Sequence, residues 1–529
     1  MPAERGSLSY LWARPGITFT YLSLLTFLVG LTDYYADLSS RYRFIEDAQA
    51  HLFWTYRFQD PELFPHDIYA DYYSSIMAPA GFRALYFLAA QALDPLLFSK
   101  LLPFALLATI VVYAWRLGRA LEPRWGGLLA ALMILEYSGN CRGGMPRSFF
   151  LSLLIPHVYY LATRQLKAAS AVLALQGLFE PILFCLGFGL QGVSLLRDLA
   201  SRPGGSLASG LRKLRVPLGL FLAATLFVGV ILSSTHILYK PRFIGPAFSH
   251  AEAVHMQDFQ PGGREPFFDP DPLQFYVRSG SSGIGWNSRL ARFLLVVMLL
   301  MGVLRGRFFL APPIIFDTVA VSLLLFALSH LVFPLLYFPN RYVRYTLPLA
   351  AILLIACHGR AAAERVQGWW PGLRWPPGTR VWGGAALAGL LLLVVLNGAV
   401  RTVFFSSARS NPAAVGLYEF LATLPKASVI AGTVHELDAV PLLAHRKIFW
   451  HAEFHAPFFK GYYREVQRRR AALLGAEARN FFAIGQFCRD FGVTHFVFDR
   501  SQAMPAVLPE RHRVFENTRF LVTRCAHGE

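Results

Sequence analysis

The apolar residues of this chain come in blocks, not with the spacing of one soluble core. After a short basic head, an apolar run occupies residues 16–32 (GITFTYLSLLTFLVGLT). Further blocks follow at 96–115, 125–137, 149–162, 168–180, 182–196, 216–234, 290–304, 308–337, 345–357 and 381–400. A helix needs about 20 residues to cross the hydrocarbon core, so the shorter blocks span only if neighbours bury their ends. The block at 308–337 contains Pro312, Pro313 and Pro334, which predict a kinked span. Residues 81–93 (GFRALYFLAAQAL) are short and contain Arg83, which predicts a helix lying at a membrane surface. No small-residue cleavage site follows the first block, so it reads as an uncleaved span entering from the cytoplasm.

Beyond residue 401 the pattern changes. Charges mix with short apolar runs, which predict a helix at 412–424, a strand at 427–431, a helix at 479–491 ended by Gly492, and a strand at 493–498. The expected architecture is a polytopic α-helical membrane protein of about eleven transmembrane helices, with a small C-terminal α/β domain outside the membrane. Residues 1–401 form the membrane part and 402–529 the tail. The outer loops are 33–79, 136–147 and 236–289.

Composition agrees. The 529 residues are 55% hydrophobic and 16% charged, with a mean hydropathy of +0.41. A soluble domain carries about 25% charged residues. The net charge of +18 would suggest nucleic acid in a soluble protein, but its placement gives another reason. Arg116, Arg119 and Arg124 share one short loop, Arg164 and Lys167 another, and Arg197, Arg202, Arg212, Lys213 and Arg215 a third; Arg305 and Arg307, then 360–380, follow. All five fall on the cytoplasmic side of an eleven-span chain with its N-terminus inside. The tail is then extracytoplasmic, and the setting is a bacterial inner or plasma membrane. Membrane lipids are the expected partner and nucleic acid is not. Arg142, Arg147, Arg341 and Arg344 fall on the outer side, where topology gives them no role.

The densest polar cluster is in the first outer loop: Glu46, Asp47, His51 and Asp67. Adjacent carboxylates hold a divalent cation, magnesium or manganese, or serve as a general base. Asp47 and His51 are four residues apart, one face of a helix. The alternative is a hydrated loop in which Asp47 caps a helix. The second outer loop (EYSGNCRGGMPR) carries Glu136, Arg142 and Arg147 among glycines, and suits an anion through guanidinium forks and backbone amides. Arginines reaching lipid headgroups are the plainer account. Arg341 and Arg344 are three residues apart, so both can face one side of a helix and hold a phosphate; interfacial anchoring is the competing account. Glu180, at a span end, reads as part of a hydrated turn. The loop at 236–287, with His250, His255, Asp258, Glu265, Asp269 and Asp271, matches no zinc or calcium spacing and reads as a substrate-covering loop. His435, Glu436, Asp438, His445, His451, Glu453 and His455 gather in the tail, where a solvated loop is favoured over a metal site. Cys488 and Cys525 can pair if the tail lies outside.

These residues support a comparison. Ala78-Pro79-Ala80 with Leu85-Tyr86, the turn at 113–121 (YAWRLGRAL), the returning run at 126–135, the loop at 136–147, and 341–349 (RYVRYTLPL) together resemble the GT-C superfamily of membrane glycosyltransferases. The likeness is to its protein mannosyltransferase, aminoarabinose transferase and oligosaccharyltransferase members. Glu46-Asp47 stands where that family has a carboxylate after its first span, reading Glu-Asp where the mannosyltransferases have Asp-Glu. The resemblance implies inverting transfer of a sugar from a polyprenyl-phosphate donor to a glycan, lipid or protein acceptor on the outer face. Asp47 would be the base, with Glu46 as backup base or metal ligand. Arg341, Arg344, Arg142 and Arg147 would hold the donor phosphate, and Glu136, His51 and Asp67 would serve acceptor or metal. A lipid-linked glycan transporter or flippase, and a non-catalytic scaffold with an outer binding domain, are the alternatives.

Overall fold

The computed structural model describes residues 15–123, 126–200, 207–235, 240–285, 311–369, 411–477, 481–502 and 512–525. Helix α1 (Pro15–Leu38) continues past the first apolar block and carries Asp33 and Asp37 in its last turns. Helix α2 (Ala80–Ala90) is the expected short surface helix, and its Phe87 and Leu88 remain exposed. Helix α3 (Pro95–Leu121) starts where sequence chemistry puts a start. Asp94 accepts a hydrogen bond from the Leu97 N–H at 2.9 Å, and Pro95 occupies the first helical position, where no N–H is needed. Helix α4 (Gly126–Ile134) crosses α3 at Gly118 and Gly126. A Cβ on Gly118 would lie 2.2 Å from the Gly126 carbonyl oxygen, so no larger residue fits.

Helices α5 (Phe149–Ala162), α6 (Leu166–Phe179), α7 (Pro181–Ala200) and α8 (Leu207–Ser233) follow, then α9 (Pro313–Val332) and α10 (Thr346–Trp369). Among the described residues, four helices are long and apolar enough to cross a membrane: Pro95–Leu121, Pro181–Ala200, Gly210–Ser233 and Pro313–Val332. The expected spans at 290–304 and 381–400 lie outside the described residues. Helices α5 and α6 have 14 residues each, which is about 21 Å at 1.5 Å per residue, short of a roughly 30 Å core. The block at 125–137 is also not one helix, because α4 gives way to a 3₁₀ turn, Leu135–Cys141. Within the block at 308–337, α9 begins at Pro313 and ends before Pro334, so the prolines stand at the ends of the helix and not inside it. Arg212, Lys213 and Arg215 stand in the first turns of α8 and not in a loop.

The end of the bundle carrying the expected cytoplasmic basic residues is knitted by ion pairs. Arg164 meets Asp198 at 2.6 Å, and Arg197 at the end of α7 meets Asp317 at the start of α9. Between helices, His157, Gln176, Gln191 and Ser170 form a buried hydrogen-bonded chain: His157 to Gln191 at 3.2 Å, Gln176 to His157 at 3.0 Å, and Gln191 to Ser170 at 2.7 Å.

In the tail, α11 (Pro412–Thr423) is capped by Asn411. Strands β1 (Val429–Ala431), β2 (Lys447–Ile448), β3 (His495–Asp499), β4 (Arg513–Glu516) and β5 (Phe520–Arg524) form one sheet in the order β2-β1-β3-β5-β4. Strand β1 runs parallel to β2 and β3; β5 runs antiparallel to β3 and β4. Helices α12 (Lys460–Glu477) and α13 (Phe481–Phe491) precede β3. Gly492, at φ 66°, ends α13 in the left-handed conformation glycine tolerates. Cys488 in α13 and Cys525 after β5 form a disulfide.

The first outer loop is not the hydrated segment of the alternative reading. Its short helical turns bury Phe53, Trp54, Phe64, Tyr69, Tyr72 and Tyr73. The tail covers them: Tyr72 stacks on Tyr462 at 3.8 Å, Phe53 packs on Phe454, and the Tyr69 hydroxyl donates to the Phe449 carbonyl at 3.0 Å. The third outer loop joins the same surface. Phe248 N–H donates to the Phe458 carbonyl at 3.1 Å, and Lys460 N–H to the Pro246 carbonyl at 2.9 Å. Gly461 makes this approach possible, since a Cβ there would lie 2.1 Å from the Phe243 carbonyl oxygen.

Candidate functional site

Four separate segments bring charge to one place at this loop-and-tail end. Asp47 precedes the helical turn Ala48–Leu52 but does not cap it with its side chain. Instead its carboxylate forms an ion pair with Arg147 of the second outer loop, each about one-third exposed. Arg341 lies in a short turn after α9 and sits over the Tyr337 ring at 5.9 Å. Tyr337 itself adopts φ 59°, a left-handed conformation uncommon for a bulky residue. Glu180 joins α6 to α7.

Shared electrostatics show how closely these groups gather. Glu180 is 8% exposed. Burial pushes its carboxyl up to about 7, against the pull of Arg341 and Arg147. It is therefore not the hydrated turn expected from its place at a helix end. Burial lowers His51 to about 4; the Asp47 carboxylate opposes this, and Arg147 and Arg341 add to it. His51 is thus a neutral imidazole near neutral pH, set edge-on to Tyr73. Glu265 of the third outer loop is raised by burial and by Asp47, with Arg264 and Arg341 opposing. Glu453 of the tail is raised to about 7 by burial, with Arg264 opposing and Asp47 and Glu46 adding their repulsion. Arg264 binds Glu453 at 3.0 Å. A partly buried cluster of two arginines and several acids can bind an anion and move a proton.

Not every expected residue comes here. Arg142 is gripped by Asp37, with Nε to Oδ2 at 2.5 Å and Nη2 to Oδ1 at 2.7 Å, so a phosphate would have to displace a buried carboxylate. Arg344 does not share a face with Arg341. It is exposed over the Tyr345 ring, in the neighbourhood of Tyr137 and Glu136. Asp67 is a structural cap: it is buried and accepts from the Ala70 N–H at 2.8 Å. Glu46 points from Asp47 toward the tail, 3.9 Å from His435. Among the described residues, two groups could hold a metal ion, His435 with Asp438 and His451, and Glu46 with Asp438 and Glu453. Glu46 and Asp47 thus do not form one ligand set. The tail acids were visible as a cluster in the sequence, but nothing local links them to Glu46. Glu265 had no signal beyond its charge.

No family model matches this chain, and no curated protein matches it. Solved structures of the oligosaccharyltransferase of Archaeoglobus fulgidus are similar in fold. The complex with Zn and sulfate is 13% identical, covering 90% of this chain and 68% of that one, with a TM-score of 0.45. The form tethered to an acceptor peptide containing the NVT sequon is 11% identical, covering 91% and 69%, with a TM-score of 0.43. The apo form is 13% identical, covering 91% and 69%, with a TM-score of 0.44.

Proposed function

We propose that the chain is a membrane glycosyltransferase of the GT-C kind. It would move a sugar from a polyprenyl-phosphate donor to a hydroxyl or amide acceptor at the loop-and-tail end. The observation carrying this reading is the convergence of Asp47, Arg147, Arg341 and Glu180 from four segments. A scaffold needs no such gathering. In the donor-free state Arg147 neutralises Asp47. A donor phosphate competes for Arg147 and joins Arg341, which frees Asp47. Asp47 then takes the proton of the acceptor group as its O or N attacks the sugar C1. The C1–O bond to phosphate breaks with inversion, and its electron pair leaves on the phosphate oxygen. Fixed guanidinium donors in a water-poor pocket stabilise that developing charge most effectively. Arg142 and Arg344 have no part in this step.

The transporter reading is less well supported. Among the buried polar side chains of the helices, His157, Gln176, Gln191 and Ser170 are bonded to one another and not to a path through the bundle. The test is transfer by purified protein from radiolabelled polyprenyl-phosphate sugars. Asp47→Asn keeps the shape but removes the base, and should lower the rate by about 10²–10⁴. An Asp47→Asn rate equal to wild type would refute the role of Asp47.

A further inference from the structure

We infer that the tail and the first outer loop are joined by one divalent transition-metal ion, bound by His435, Asp438, His451 and Glu46. This site lies beside the proposed transfer centre and does not depend on it. Asp438 is the common member of both ligand groups, and within each group the ligand atoms all lie within 4.8 Å of one another. Ligand atoms about 2.0–2.2 Å from a single zinc ion stand roughly 3.3–3.6 Å apart, so one ion fits after small side-chain movements.

The base of the site is built and its mouth is open. Asp438 is 1% exposed and His451 5%. Asp438 Oδ1 is buried and ion-paired with His451 Nδ1, while Asp438 Oδ2 lies 3.3 Å from His435 Nδ1. The buried carboxylate thus holds both imidazoles at one point, where a single ion could draw all three toward it. At the mouth, the His435 and Glu46 side chains are 60% and 56% exposed. Glu453 is the alternative carboxylate, but Arg264 already holds it. Two imidazoles with carboxylates suit zinc or manganese; calcium and magnesium prefer all-oxygen shells. The ion expected at Glu46-Asp47 is thereby placed on Glu46 and the tail, with Asp47 left to Arg147. Occupancy would fix the backbone one residue before Asp47 and clamp the tail on the loop.

The test uses full-length, tag-free protein in detergent, stripped with EDTA and titrated with Zn²⁺, then with Co²⁺ as a visible reporter. The expected result is about one equivalent of Zn²⁺ per chain, tight enough to compete with a weak chelator, and a higher melting temperature. Co²⁺ should give the visible bands of a nitrogen-ligated site. His435→Gln and Glu46→Gln, both at the exposed mouth where folding is not at stake, should each weaken Zn²⁺ by about tenfold or more. Asp438→Asn should abolish binding. Uptake below about 0.1 equivalent by wild type would overturn the proposal and leave Asp438 paired with protonated histidine. So would His435→Gln and Glu46→Gln binding as tightly as wild type, which would put the metal elsewhere. None of these readouts uses a sugar donor, so their failure is distinct from failure of the transfer reaction.

Discussion

Removing the Cys488–Cys525 disulfide tests both the stability of the tail and the side of the membrane on which it lies. The bond closes a segment of 37 residues between α13 and the end of β5. In the chain-entropy treatment, a closed loop of that length removes roughly 13 cal/mol/K from the unfolded ensemble, or about 4 kcal/mol at 25 °C. Cys488 is fully buried and Cys525 nearly so, so the double change to alanine avoids leaving a lone thiol in the core. If the tail unfolds as a unit, about 4 kcal/mol corresponds to a fall in its melting temperature on the order of 10–20 °C. The assay is thermal unfolding of purified protein, followed by fluorescence and by proteolysis of the tail. A parallel measurement denatures wild type without reductant and adds a maleimide reagent of high mass. Cys141, Cys185 and Cys357 lie outside the disulfide, so three of the five cysteines should react. Protein from intact cells that labels at all five would refute an oxidised tail, and with it the extracytoplasmic placement. A melting temperature unchanged by the double substitution would refute the entropic magnitude.

The remaining predictions concern single side chains. Glu180 is raised above its ordinary value to about 7, so the native state holds its proton more tightly than the unfolded chain. Its contribution to stability is present below the unfolded value and is lost as pH rises to about 7. The wild-type-minus-Glu180→Gln difference in melting temperature should therefore fall between about pH 4.5 and pH 7 and be flat above it; a difference that does not vary with pH would refute the buried-acid reading. Arg446 donates to the carbonyls of Ala422, Leu424, Ala444 and His445, closing the end of α11. Arg446→Met should cost about 2–4 kcal/mol in unfolding of the tail, and a loss under about 0.5 kcal/mol, the usual range of surface changes, would show those bonds to be replaceable by water.

The legible parts of the fold are those set by local chemistry. Asp94-Pro95 and Asn411-Pro412 announce helix starts, Gly492 announces a stop, and the alternation at 493–498 announces β3. The site was legible as an inventory of residue types but not as an arrangement. Asp37 fell in the expected first outer loop, and nothing local pointed to its grip on Arg142 across 105 residues of chain. Glu180 looked hydrated because its place at a helix end says nothing of the loops folded over it. The spacing of Arg341 and Arg344 implied one helical face, but the Arg341 guanidinium lies over Tyr337 and that of Arg344 over Tyr345. The packing of the first outer loop was not legible, because the surface that covers its aromatic residues lies near the far end of the sequence.

That partner arrives late. Tyr69 waits for Phe449, 380 residues further on. At a synthesis rate of about 5–20 residues per second, the aromatic layer of the loop stands uncovered for roughly 20–80 s while the remaining chain is made. During that time it is a sticky apolar surface, open to chaperones and to misassociation with other chains. The charged pocket beneath it lacks Glu453 and its tail cover for the same interval. Completion of the site is therefore coupled to delivery of the tail. A ribosome stalled before the tail emerges would leave a membrane-inserted product with Asp47 and Arg341 but no finished pocket.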